Sequence, residues 1–225
     1  MATTAKKRTP RKMSPDVQIS REQRAARTRE QLLYSAARVV GEFGYRDASI
    51  QRITAHAGMA LGTFYLYFDS RQTLFDELLP HYGVQMLERV RERAHGAKGF
   101  YEVEEIGARV VFEYLCENPW FWRVLNEAEV EAPQAWASHH REVTRRYNKF
   151  LQRAKSEGEI AGYDVDELDT LAYLLIAARD YLYLHHLAKS PQNSQVPERA
   201  IHTYMQFLRH GLGGGKSAKK VVKPG

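Results

Sequence analysis

One cysteine in 225 residues, Cys116, leaves nothing for an internal disulfide framework and fits a reducing compartment, so a cytoplasmic protein is expected. Long hydrophobic runs are missing too. The longest, "LAYLLIAA" at 171–178, stops at Arg179 and Asp180, well short of the ~20 residues that a membrane helix needs. The basic opening "MATTAKKRTPRK" has no apolar segment behind it, which excludes a secretory signal. No stretch alternates with the two-residue period of a strand, and no fixed-period repeat is visible. His-Glu-x-x-His, phosphate-binding glycine loops and dinucleotide glycine fingerprints are absent, and no cofactor is expected.

Positive charge is abundant but unevenly placed. Of the net +6, residues 1–30 carry +6 and residues 213–225 carry +4, which leaves −4 on the body between them. Blocks of like charge are either solvated tails or arms on nucleic-acid phosphates, and composition alone leaves both open. Residues 1–20 hold Pro10 and Pro15 and read as a disordered basic arm; 213–225 read as a disordered basic tail.

Between the tails the pattern is helical, and the expected fold is all-α with about nine helices. From Arg24, Leu32, Leu33, Ala36, Val39, Val40 and Phe43 recur at threes and fours until Gly44. Ser49 caps "SIQRITAHAG", where Ile50, Ile53 and Ala57 share a face and Gly58 supplies a left-handed end. Asp69 with Gln72 forms a capping-box variant for a fourth helix, inside which Pro80 should kink or split the chain near Leu79. Five further helical patterns run from Gly99 to Leu212.

The stretch "GTFYLYF" at 62–68 packs four aromatics and no charge into seven positions. At about 100° per residue, Phe64 and Phe68 face inward with Met59, Gly62 and Leu66 face outward, and Tyr65 and Tyr67 sit on the shoulders. Such a helix is either buried all round or pressed into a DNA major groove, with Gly62 allowing close approach and each tyrosine reaching a phosphate wall. A glycine-ended helix just before it makes a helix-turn-helix, with Arg52 and Arg71 alongside.

"ASIQRITAHAGMALGTFYLYFDSRQTLFDELL" closely resembles the helix-turn-helix signature of the tetracycline-repressor (TetR) family over about thirty ordered positions. The resemblance covers roughly the first 80 residues. It implies a DNA-binding domain over 21–69, with the reading motif at about 49–68. A helical ligand-binding and dimerisation domain would follow over 70–212. It implies that Ser49 contacts a phosphate, that Gln51 and Arg52 touch bases or phosphates, and that Leu61, Gly62, Thr63 and Leu66 face the bases. Tyr65 and Tyr67 match phosphate-binding aromatics, and Arg71 matches a lysine that often anchors the fourth helix. Two positions depart from the pattern: Ala60 replaces a capping serine or threonine, and Leu61 stands where many relatives carry a polar base reader.

In such regulators the C-terminal helices form a homodimer and enclose an inducer pocket. Trp120, Phe121 and Trp122 span about 200° of one helix, so they pack in a core or line a cavity. Tyr114, Tyr147, Phe150, Tyr173 and Tyr181 are candidates for an aromatic lining, and Arg123 and Arg179 for polar anchors of an acidic or phenolic ligand. Leu168, Leu171, Leu175, Leu182, Ile201, Tyr204, Met205, Leu208 and Leu212 mark the last two helices, through which the resemblance implies a twofold bundle. Enzyme readings find little. A carboxylate-bridged di-iron bundle needs two Glu-x-x-His pairs, and only Glu92 to His95 qualifies. The adjacent His139–His140 and His185–His186 pairs diverge by about 100° on a helix and do not chelate one ion. The expectation is a homodimeric repressor, released from a palindromic double-stranded DNA operator by a small apolar, aromatic inducer; the alternative is a DNA-binding protein of this fold that works without one.

Overall fold

Ser20, assigned by the sequence to the disordered arm, begins the fold. Its hydroxyl accepts from the Gln23 N–H at 3.1 Å while the Gln23 side chain accepts from the Ser20 N–H at 3.0 Å. This capping box starts α1 (Arg21–Asp47) three residues earlier than the apolar periodicity does. The computed structural model describes residues 20–160, 162–186 and 197–212. The arm before Ser20 and the tail over 213–225 lie outside these residues.

Among the described residues the architecture is all-α, with nine α-helices and no strand. After α1 come α2 (Ile50–Ala57), α3 (Leu61–Phe64) and α4 (Arg71–Arg93). Next are α5 (Gly99–Glu117), α6 (Pro119–Glu131) and α7 (Pro133–Ser156). A 3-10 turn at Val165–Glu167 then leads to α8 (Leu168–His186) and α9 (Glu198–Leu212). No helix among the described residues is long and apolar enough to cross a membrane.

The first three helices close around Leu32, Leu33, Ala36, Val40, Ile53, Phe64 and Phe68, all buried, with Leu74, Phe75 and Leu78 of α4 completing the core. Gly44 adopts φ 82°, ψ 165° and interrupts α1, where the sequence places its end. Phe43, expected on the apolar face, is instead exposed beneath the Arg52 guanidinium, 4.6 Å from its ring centre. Gly58 ends α2 in the left-handed conformation at φ 66°.

Two expectations about α4 are corrected. Its cap is Ser70, whose hydroxyl accepts from the Thr73 N–H at 3.1 Å, whereas Gln72 reaches forward to Asp76. Pro80 does not split the helix, which runs without interruption from Arg71 to Arg93. Leu78, Leu79, Tyr82 and Gly83 are all buried around the proline, so tertiary packing outweighs one missing donor.

The most extensive helix–helix contact joins α1 to α6. A Cβ on Gly41 would stand 2.2 Å from that of Trp120, so the two helices touch almost backbone to backbone there. Nearby, the Tyr45 N–H and hydroxyl donate to Glu127 at 2.9 Å and to the Val124 carbonyl at 3.2 Å. Arg123 donates to the Glu42 carbonyl at 2.9 Å and to Glu127 at 2.6 Å. This polar clasp fixes the first helices on the rest of the chain.

Candidate functional site

The outward edge of the first three helices is built by short-range geometry. The Ser49 hydroxyl accepts from the Arg52 N–H at 3.2 Å and starts α2. Ala60 offers no such cap, and α3 closes after four residues; Tyr65 to Phe68 continue as tight turns, with the Phe68 N–H donating to the Phe64 carbonyl at 3.1 Å. The helix is therefore shorter than the aromatic pattern implies, yet the sides fall as the rotation argument places them. Phe64 and Phe68 are buried, while Leu66 is 78% exposed. Gly62, Leu61 and Tyr65 are exposed, and Thr63 and Tyr67 are half-buried. A Cβ on Gly62 would meet nothing within 4 Å.

Gln51, Arg52 and Arg71 are also exposed. The two arginines are held by the fold: Arg52 donates to the Asp47 carbonyl at 3.1 Å and Arg71 to the Arg46 carbonyl at 3.2 Å. Each spends one donor on the main chain and keeps others outward, because a guanidinium carries five N–H groups. None of the ten residues expected at a DNA face is buried.

A second feature lies among the later helices. A cavity of about 710 Å³ opens between α4, α5, α6, α7 and α8. Its apolar wall includes Met86, Val90, Phe100, Phe121, Leu125 and Phe150, and exposed Arg91, His95 and Arg153 stand at its margin. Deeper in, Glu104 is 2% exposed and accepts from the hydroxyls of Tyr147 at 2.6 Å and Tyr204 at 2.7 Å. The Arg179 guanidinium lies over the Tyr147 ring, 4.9 Å from its centre.

Burial governs titration here. It pushes the Asp180 carboxyl up to about 6, against the opposing pull of Arg179. It pushes His139 down to about 4, with the neighbouring His140 adding to the effect. The Tyr147 hydroxyl is raised well above its ordinary value for the same first reason. Both histidines are thus neutral near pH 7. Among the described residues no group of three His, Cys, Asp or Glu is placed to hold a metal ion.

Of the nine residues expected to line a ligand pocket, Tyr147, Phe150 and Arg179 do so. The others lie elsewhere for identifiable reasons. Tyr114 is buried and donates to the Tyr82 carbonyl at 3.3 Å; Trp120 is wedged against Gly41 and Tyr82. Trp122 packs on Tyr183, and Arg123 belongs to the clasp between α1 and α6. Tyr173 and Tyr181 are exposed on the outer side of α8. Of the three aromatics at the start of α6, only Phe121 reaches the wall.

The stripe expected at a dimer contact is also redistributed. Leu168, Leu171, Leu175, Ile201, Tyr204, Met205, Leu208 and Leu212 are buried within the protomer, and Leu182 is partly so. The exposed apolar residues of these helices are Tyr173, Leu174, Tyr181, Leu184 and Phe207. Sequence reasoning missed Glu104, although its spacing carried a signal. It stands four residues from both Phe100 and Ala108, an acid in the middle of an apolar row.

Residues 32–78 match the family described as bacterial regulatory proteins, tetR family. The chain is 38% identical over 77 residues to a helix-turn-helix regulator of Bacillus subtilis, YvdT, covering 34% of this chain and 40% of that one. It is 34% identical over 68 residues to the fatty acid metabolism regulator protein of the same organism, covering 28% and 35%. The matched stretch thus spans less than half the length of these curated relatives. Among solved structures, FadR of Bacillus halodurans superposes with a TM-score of 0.68 at 19% identity, over 84% of this chain and 96% of that one. FadR of Bacillus subtilis, solved in complex with stearoyl-CoA, gives 0.69 at 20% identity over 81% and 98%. The tetR-family match is thus confined to residues 32–78, and the solved structures share the fold of the longer chain.

Proposed function

We propose that the protein is a ligand-released repressor: residues 21–69 read a palindromic operator, and residues 70–212 bind the inducer and dimerise through the last two helices. The observation that carries this reading is the outward edge of "GTFYLYF". Leu66 and Gly62 project from an uncharged ridge between two tyrosine hydroxyls, beside Arg52 and Arg71. A folded domain exposes such a ridge at a cost unless a partner covers it, and a major groove accommodates it. The exposed apolar side chains of α8 and α9, Phe207 at 67% and Tyr181 at 72% among them, supply the self-complementary surface that a twofold dimer requires.

The cavity favours ligand response over DNA binding without an inducer. Its volume falls within the roughly 300–1,000 Å³ of small-molecule sites, and its wall is mainly apolar. Phe100, Phe121, Tyr147 and Phe150 stack on an aromatic nucleus or clasp an alkyl chain; the stearoyl-CoA complex of the neighbouring FadR lends weight to the chain. Helix α6 links the cavity to the helix on which the reading motif packs: Phe121 and Leu125 face the cavity while Arg123 and Glu127 grip α1. A ligand that displaces α6 therefore re-aims the reading heads. Coupling between two such sites is typically about 1–3 kcal/mol and is reciprocal.

The test is fluorescence anisotropy of the purified protein on DNA from upstream of its own gene, with and without aromatic and acyl ligands. Preference for that DNA over random sequence, lost on adding a ligand, is the expected result. Equal affinity for both DNAs would sink the operator reading.

A further inference from the structure

Deep in the cavity one strong donor group has nothing to donate to. The Nε of Arg179 is buried and meets no hydrogen-bond acceptor, and among the described residues no carboxylate lies within 4.0 Å of this guanidinium. Glu104, the buried acid of the same cluster, already has each of its oxygens occupied by a tyrosine hydroxyl, at 2.6 and 2.7 Å. Below the guanidinium is the Tyr147 ring, and behind it is Gly107, where even a Cβ would stand 3.8 Å from an Arg179 terminal nitrogen. Charged and titratable groups face it from every side. These are Glu104 of α5, Tyr147 of α7, Tyr204 of α9 and Asp180 beside it on α8. Burial opposes the arginine's charge, and the Glu104 carboxylate favours it. Buried arginines are almost always paired, because their planar fork of donors is costly to desolvate without acceptors.

We propose that Arg179 is the anchor for the anionic head of the cavity's ligand, so that the ligand is an oxyanion, a carboxylate in the simplest case, carried on an apolar body. The inference rests on the cavity being a ligand site, as proposed above, and adds the charge of what enters it. Glu104 acts as a positioning residue: by fixing Tyr147 and Tyr204 it holds the platform on which the guanidinium lies. An ammonium head accepts none of the arginine's donors and repels its charge, a hydroxyl head accepts one without charge, and a carboxylate accepts two side by side with opposite charge.

Three probes with the same ten-carbon chain separate these cases: decanoate, 1-decanol and decylamine. Binding is measured by calorimetry and by ligand-induced shifts in melting temperature, without DNA. Decanoate should bind at least about tenfold more tightly than decanol, and decylamine most weakly of the three. Arg179→Gln should remove the advantage of decanoate over decanol and leave decanol unchanged; Arg179→Lys, which keeps the charge but not the fork, should retain part of it. Equal binding of acid and alcohol by the unaltered protein, a preference for the amine, or no binding of any probe would each overturn the anchor, whatever the fate of the variants. The outcome is independent of the operator reading. Decanoate selectivity in a protein indifferent to its upstream DNA would keep the anchor and sink the repressor; operator binding released by decanol as well as by decanoate would do the reverse.

Discussion

The first three helices and the later ones treat aromatic residues in opposite ways. In α3 and the turn after it, four rings lie within five positions, and their burial follows the rotation of the chain: Phe64 and Phe68 inward, Tyr65 outward, Tyr67 between. At the start of α6, three rings in succession scatter to three destinations: Trp120 to α1, Phe121 to the cavity and Trp122 to Tyr183. The short α3 lies at the edge of the core and has one inside, so direction along the chain is enough to assign each ring. A helix packed among several others has several insides, and direction no longer says which neighbour a ring meets.

The sharpest way to break this contrast is Phe64→Ala. Phe64 is fully buried with its ring 5.7 Å from that of Phe68, and its loss should cost about 3–5 kcal/mol in thermal unfolding. A melt indistinguishable from the parent would mean that the ridge faces the other way.

A comparable effect is expected from pH among the later helices. His139 titrates near 4 when folded and near 6.5 when unfolded, so its neutral burial contributes up to about 3 kcal/mol above pH 6.5 that is lost as pH falls to 4. Asp180 acts in the opposite sense: raised to about 6, it strains the fold at neutral pH and is relieved as pH falls through 6. The parent should therefore show a shallow profile between pH 6.5 and 4. Asp180→Asn should unmask a decline towards pH 4, and His139→Gln a rise; parallel denaturation profiles for all three proteins would show that neither group is tuned by its burial.

Two glycines sharpen the comparison at a smaller scale. Gly41→Ala places a methyl on the Trp120 backbone and should cost about 1–3 kcal/mol by forcing α1 from α6. Gly62→Ala meets nothing within 4 Å, so its melting temperature should change little. Gly62→Leu should keep the fold and lose operator affinity far more than affinity for random DNA. The smallest expected effect is that of Tyr65→Phe and Tyr67→Phe. Each should weaken binding to operator and random DNA alike by about 1 kcal/mol, because a phosphate contact carries no direct sequence information. A loss confined to the operator would reassign these tyrosines to the bases.

By itself the sequence determined what local chemistry decides. The helical periodicity, the caps at Ser49 and Gly58, the break at Gly44 and the inward and outward sides of "GTFYLYF" depend on residues within about four positions of one another. Tertiary structure decided whatever depends on distant neighbours. Pro80 stays in an unbroken helix because the residues around it are buried, Tyr114 and Trp120 are core rather than pocket wall, and Leu168, Leu171 and Leu175 of α8 face their own protomer. The cluster of Glu104, Tyr147, Arg179 and Tyr204 comes from four helices spread over a hundred residues of chain. Each helix shows only that a polar group lies on a buried face; which groups then meet, and which donor is left without an acceptor, depends on how the four helices pack.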